Sequence, residues 1–259
     1  MEGIYKFSEI EMLGFVLVLL RLGSFFFSWP IFGTETVPVP IKILLSLTIT
    51  LVVFPIVGWS KLAVGIADSQ IIVLAVKEIF TGLILGFFCR MSFFALAMGG
   101  NIISVSMGLT SAQLFNPSLG VEGSPIEQFK VMLGSLFFLF INGHHMFLTG
   151  IVKSFELIPL TRTEISMSSY SEMGTLMTEV SSIAIRIGAP VMISVLFINI
   201  AMGLAGRAVP QINVLVTSMP VNILVGMMAM IVALPFFTVE VGQLLDLMTK
   251  HLFQLMKTI

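Results

Sequence analysis

Apolar residues in this chain run together more than they alternate with polar ones. Six long apolar segments lie at roughly 10–29, 41–59, 71–106, 128–151, 182–206 and 212–239. A helix needs roughly 20 such residues to cross a hydrocarbon core. Backbone amides in apolar surroundings must be satisfied within the segment, which a helix achieves. The pattern therefore predicts an all-α membrane-associated protein of about six hydrophobic helical segments. Local signals mark several starts. Ser8 with Glu11 fits a capping box, and so does Ser124-Pro125-Ile126-Glu127, which has proline at the first helical position. Pro30, Pro38 and Pro40 bracket the first connection. The sequence shows no repeat at a fixed period and no low-complexity tract.

Composition supports that reading. Hydrophobic residues make up 57% of the 259 positions and charged residues 10%, against about 25% charge in ordinary soluble domains. So few charges would not cover a soluble core. The net charge of -1 gives no reason to expect nucleic acid or a polybasic lipid anchor. The opening MEGIYKFSEIEML has no small-residue cleavage pattern, so the first apolar run is expected to be retained. With six crossings, Lys6, Lys61, Lys153, Arg162, Lys250 and Lys257 fall on one side and Lys42, Lys130 and Arg207 on the other. The positive-inside rule then favours cytoplasmic termini.

Two connections are long. Residues 152–181 form the one extended polar stretch and read as a solvated loop, in which Ser169 with Glu172 could start a short helix. Residues 107–127, MGLTSAQLFNPSLGVEGSPIE, are different. Gly108, Pro117, Gly120, Gly123 and Pro125 forbid a continuous helix, while Leu109, Leu114, Phe115, Leu119 and Val121 are too apolar for a free surface loop. Irregular backbone near membrane depth must be buried in protein or line a cavity. A segment both irregular and apolar suggests one packed inside a central space.

No catalytic constellation emerges, and no Walker or glycine-rich phosphate motif is present. No metal or cofactor is expected. Cys89 is the sole cysteine, which excludes an internal disulfide, and His144, His145 and His251 do not make a metal site with it. His144 and His145 are adjacent, and on a helix neighbours point roughly 100° apart, a poor arrangement for chelation. The ionisable residues inside apolar segments are Arg21, Lys77, Glu78, Arg90, Arg186, Arg207, Glu240 and Asp246. They are scattered one or two per segment, which fits pairing within or between subunits better than a proton relay of converging acids. Small residues, Gly82 and Gly86 in GLILG, Gly99-Gly100, Gly134-Ser135, and Gly203 with Gly206, fit dense helix packing. The 18 methionines and 23 phenylalanines read first as filler of apolar helices. Deformable methionine also suits a surface that reseals around varied contents, and Met107, at the entry to the irregular segment, is the position of most interest.

The stretch GRAVPQINVLVTSMPVNILVG at 206–226 sets Arg207, Pro210, Gln211 and Asn213 between two apolar runs. It resembles the signature region of the FliR family, the export-gate subunits of bacterial flagella, related to the SctT subunits of virulence type III secretion. RLGSFFFSWPIFGTETVPVPIKILLSL at 21–47, KEIFTGLILGF at 77–87 and FINGHHMFL at 140–148 agree with it in order and position. The resemblance covers essentially the whole chain. It implies a subunit present once per gate, assembled with FliP-like and FliQ-like chains, contacted by an FlhB-like subunit, and handling unfolded export substrates. It implies a FliP-like portion, placed at 1–185, followed by a FliQ-like helical hairpin at 186–259, with Pro210 at its bend. Arg207, Gln211 and Asn213 would then meet polar groups of neighbours, and Arg21, Glu78 and Arg90 would make inter-helix or inter-subunit contacts.

The resemblance also gives 107–127 the role of pore plug: Met107, Gly108, Leu109, Leu114, Phe115, Asn116, Pro117, Leu119, Gly120 and Gly123, with Leu114 to Pro117 at its tip. The implied place is the bacterial inner membrane and the flagellar basal body, with the assembled gate largely above the membrane plane. The rival readings are a small-solute secondary transporter or ion channel, for which no matching half-motif precedes the Pro210 region, and an assembly scaffold without a pore-lining surface.

Overall fold

The computed structural model describes residues 9–29, 37–57, 68–110, 124–160, 168–209, 211 and 213–258. Among the described residues there are eight helices and no strand: α1 Glu9–Ser28, α2 Val39–Val53, α3 Asp68–Met107, α4 Pro125–Phe140, α5 Gly143–Leu157, α6 Ser168–Ala208, α7 Val214–Val232 and α8 Leu234–Thr258. The all-α expectation holds. The capping box expected at Ser8 lies outside the described residues.

Among the described residues the candidate crossings are fewer than the apolar pattern suggested. Three helices are long and apolar enough to cross a membrane, Glu9–Ser28, Ile71–Met107 and Gly174–Ala208, or up to five if each of two bent pairs counts as one span. The segment at 128–151 is one such pair, α4 and α5, bent by 71°. Its break is Asn142, whose φ of 59° places it in the left-handed region that asparagine tolerates better than most residues. The segment at 212–239 is the other, α7 and α8, bent by 61°. Here Pro235 follows the break, and a proline ring cannot continue the preceding helix. The segment at 41–59 yields only α2, whose 15 residues fall short of the roughly 20 needed to span. The cytoplasmic placement of both termini loses its six-crossing premise.

The solvated loop expected at 152–181 is mostly helix. α5 continues to Leu157, stopping just before Pro159, and α6 begins at Ser168 and runs for 41 residues, far beyond a short helix. The cause is a helical period hidden among polar residues. Leu176, Val180, Ile183 and Ile187 recur at three- and four-residue spacing and are all buried.

The helices sort into two compact units. One gathers α1, α2, the first part of α3, α5 and the last part of α8; the other gathers the rest of α3, α4, most of α6, α7 and most of α8. In the first unit, Trp29 stacks against Phe25 at 5.4 Å and Phe26 at 5.7 Å and meets Phe147 edge-on at 6.2 Å. Glycines let α3 approach α1 closely there. A Cβ at Gly82 would strike the Arg21 carbonyl and the Ser24 hydroxyl, and one at Gly86 would lie 2.6 Å from the Ser28 Cβ. In the second unit, Gly100 of α3 lies so close to the first turn of α4 that a Cβ would come 2.6 Å from the Glu127 Cα. Phe93 and Phe138 meet edge-on nearby at 5.5 Å.

Backbone cannot yield as a side-chain tip can, so Gly100→Ala should cost about 1–3 kcal/mol. Gly242 of α8 has nothing within 4 Å of a built Cβ, and Gly242→Ala should be neutral or slightly stabilising. Thermal unfolding of the detergent-solubilised protein compares the two.

Candidate functional site

The segment at 111–123 joins α3 to α4 through two well-formed helix ends. At the exit, Gly108 has a φ of 79°, a conformation open to glycine. Its N–H donates to the Val105 carbonyl at 3.0 Å, and the Leu109 N–H donates to the Ser104 carbonyl at 3.1 Å. This is the Schellman arrangement, which satisfies carbonyls left free at a helix end. At the return, the Ser124 hydroxyl accepts from the Ile126 N–H at 3.2 Å, and the Glu127 carboxylate accepts from the Ser124 N–H at 3.5 Å. The capping box read from the sequence is therefore present, with proline at the start of α4. The two ends also meet, since the Ser124 hydroxyl donates to the Ser104 hydroxyl at 2.5 Å. Met107 is fully buried in a cluster with Ile103, Val191, Val195 and Met230, against which Leu109, Ile126 and Ala229 pack. Of the proposed plug residues, Met107, Gly108 and Leu109 are placed. Leu114, Phe115, Asn116, Pro117, Leu119, Gly120 and Gly123 lie outside the described residues.

The buried polar centre of the first unit is Arg21, which is 0% exposed. Its Nε donates to Glu78 Oε2 at 2.5 Å and its Nη2 to Oε1 at 2.9 Å, a bidentate pairing of α1 with α3. The remaining donors close the end of α5. Nη1 reaches the Ser154 carbonyl at 3.1 Å, the Ser154 hydroxyl at 3.3 Å and the Ile158 carbonyl at 3.1 Å, and Nη2 reaches the last of these at 3.0 Å. The guanidinium also lies over the Phe155 ring, 4.4 Å from its centre. One side chain thus neutralises a carboxylate, caps the Ile158 carbonyl that the helix end leaves free, and shares the Ser154 carbonyl with the Ile158 N–H. Arg90 is exposed on α3 and does not join this group.

The polar stretch at 207–213 separates two antiparallel helices. The Asn222 side-chain N–H donates to the Asn199 side-chain oxygen Oδ1 at 2.9 Å, and Gly206 sits against Val214. Both pairs are equally distant, within a residue, from position 210. Pro210 itself lies outside the described residues. Arg207 is exposed in the last turn of α6, where a cation complements the helix dipole. Gln211 is exposed. Asn213 caps α7, its side-chain oxygen accepting from the Val216 N–H at 3.4 Å.

Sequence reasoning missed several contributors. Ser154 and Ile158 serve Arg21 through their carbonyls, for which Pro159 is the only trace in the sequence. Lys130 is buried with its ammonium 4.3 Å from the centre of the Phe237 ring, and nothing in its neighbours marks it for burial. His144 and His145 stack, ring centres 4.2 Å apart, on the first turn of α5. Among the described residues no three His, Cys, Asp or Glu side chains gather as metal ligands.

Removing one partner from a buried ion pair strands the other. Arg21→Met should cost about 3–5 kcal/mol, and Arg21→Met combined with Glu78→Gln should cost less than Arg21→Met alone. Unfolding midpoints of the three solubilised variants check the order.

The sequence profile of the family described as bacterial export proteins, family 1, matches residues 12–248. The chain is 30% identical over 236 residues to the flagellar biosynthetic protein FliR of Bacillus subtilis, covering 90% of each chain. It is 28% identical over 240 residues to FliR of Caulobacter vibrioides, covering 90% of this chain and 94% of that one. It is 25% identical over 235 residues to FliR of Aquifex aeolicus, covering 91% and 90%. With the match running through every helix from α1 into α8, the chain belongs to the FliR family of bacterial export proteins.

Proposed function

We propose that this chain is a channel-forming, non-enzymatic subunit of the flagellar type III protein export gate, lining and plugging the pore that unfolded substrates traverse. The observation that carries the reading is the closed base of the segment at 111–123. Its exit at Gly108 and its return at Ser124 are pinned together by the Ser104 and Ser124 hydroxyls. A long insert with joined ends, carrying Leu114, Phe115, Leu119 and Val121 and punctuated by Gly and Pro, has the composition of a deformable stopper. In this role Met107, Gly108 and Leu109 are the stem, and Leu114, Phe115, Asn116 and Pro117 are the tip. The stopper prevents ions and protons from leaking when no substrate fills the channel.

The chain works among companions: FliP-like and FliQ-like subunits and an FlhB-like subunit, at the inner membrane within the flagellar basal body. Residues 1–185 form its FliP-like portion and 186–259 its FliQ-like hairpin, turning at Pro210. Two observations support the partnership. α6 and α7 expose Ile193, Leu196, Phe197, Ile200 and Leu204, and Val216, Leu224, Met228 and Ile231, more apolar surface than water tolerates. α3 has 40 residues, which at 1.5 Å each gives a length of about 60 Å, twice a hydrocarbon core of about 30 Å. A helix of that length extends beyond the bilayer and into an assembly above it. The exposure of Arg207, Gln211 and Asn213 supports a role in meeting polar groups of neighbouring subunits.

Deleting residues 110–120 should raise the ion permeability of cells while leaving assembly of the gate intact. Unchanged permeability in an assembled gate counts against the plug. Co-expression with FliP-like and FliQ-like chains should yield a stable complex by mass measurement of the intact particle. A chain that purifies as a stable single copy and carries a small solute would instead be a transporter.

A further inference from the structure

We infer that the face of α6 around Asn199 and Gly203 docks an apolar helix of a companion subunit, one that brings a side-chain oxygen to accept from the Asn199 amide. The inference rests on the partnership proposed above and names its point of contact. Asn199 is exposed on α6, with Leu196 and Gly203 one turn to either side, both exposed as well. Its Oδ1 is engaged by the Asn222 N–H at 2.9 Å. Its Nδ2 has no acceptor among the described residues. Asn222 is 8% exposed, and its own Oδ1 has no donor among them either. Two facing carboxamides can exchange two hydrogen bonds; this pair makes one and leaves an unmet donor on its exposed member.

The surroundings decide what covers that donor. Met192, Leu196 and Ile200 are exposed beside it on α6. Water would satisfy the amide and solvate these side chains poorly. Hydrocarbon would solvate the side chains and leave the amide unpaired, at a cost. A helix of another chain meets both needs, apolar against apolar with one polar oxygen at the amide. A second copy of this chain would bring the same Asn199, whose Oδ1 is already engaged, so it offers a donor where an acceptor is needed. Gly203 supplies the space for close approach. A Cβ built there has nothing within 4 Å, whereas Gly82, Gly86 and Gly100 of α3 are each closed against the backbone of another helix of this chain. An open glycine alone would mark nothing; here the unmet donor stands one turn away.

The test uses the full chain in native membranes, with and without co-expressed FliP-like and FliQ-like chains. Gly203→Leu fills the notch and meets nothing else in this chain. Its level without companions should equal that of the unsubstituted chain, while recovery of companions with it should fall about tenfold. Asn199→Leu with Asn222→Leu removes the unmet donor without stranding a buried amide. That pair should lower recovery of companions about threefold to tenfold. A complex indifferent to either variant overturns the docking face and leaves the partnership standing. Companions that do not bind the unsubstituted chain overturn both. If Gly203→Leu does not accumulate, cross-linking decides. With Leu196 replaced by p-benzoylphenylalanine, irradiation of the assembled complex should join this chain to a companion subunit. Adducts with lipid alone, or with a second copy of this chain, overturn the inference.

Discussion

A helix that ends in apolar surroundings leaves carbonyls or amides with no water to bind, and this constraint organises the molecule. Each end that matters has its own answer. The Ile158 carbonyl, at the cap of α5, is met by Arg21, a side chain from α1 whose charge is in turn balanced by Glu78 of α3. The end of α3 closes on itself through Gly108. The start of α4 is closed by Ser124 and Glu127, and that of α7 by Asn213. Because the Arg21 guanidinium serves two helices at once, the positions of α1, α3 and α5 are specified together.

The same economy explains the glycines. In water, helices come together to hide apolar surface. In lipid that drive is absent, and close contact of backbones takes its place. Gly82 and Gly86 let α3 meet the backbone and small side chains of α1 around Arg21, and Gly100 lets α3 meet the cap of α4. Polar clamp and backbone contact thus occur side by side: the ion pair selects which helices meet, and the missing Cβ atoms let them approach closely enough for it to form.

Much of this was legible beforehand. The all-helical class followed from continuous apolar runs, and the capping box at Ser124–Glu127 could be read letter by letter. The segment at 107–127 stood out because it was apolar and broken at the same time. What stayed hidden has a physical reason in each case. Asn142 and Pro235 break apolar runs without making them polar, so hydropathy counted two segments where there are four helices. The first part of α6 carries its apolar residues on one face only, and a scan for apolar runs passes over such a face. Arg21 and Glu78 were each conspicuous, but nothing in one dimension joins positions 57 apart or points to the Ser154 carbonyl. Arg207 and Asn213 looked foreign to their neighbourhood, yet each also serves the end of its own helix.

The antiparallel pair of α6 and α7 presents Phe197, Leu204, Leu224, Met228 and Ile231 on its outside. A newly made copy carrying that surface finds a compatible solvent in lipid and not in water. Copies that stay in water expose that face and are prone to aggregate. An apolar face of this size therefore also limits how many copies a cell can keep outside lipid.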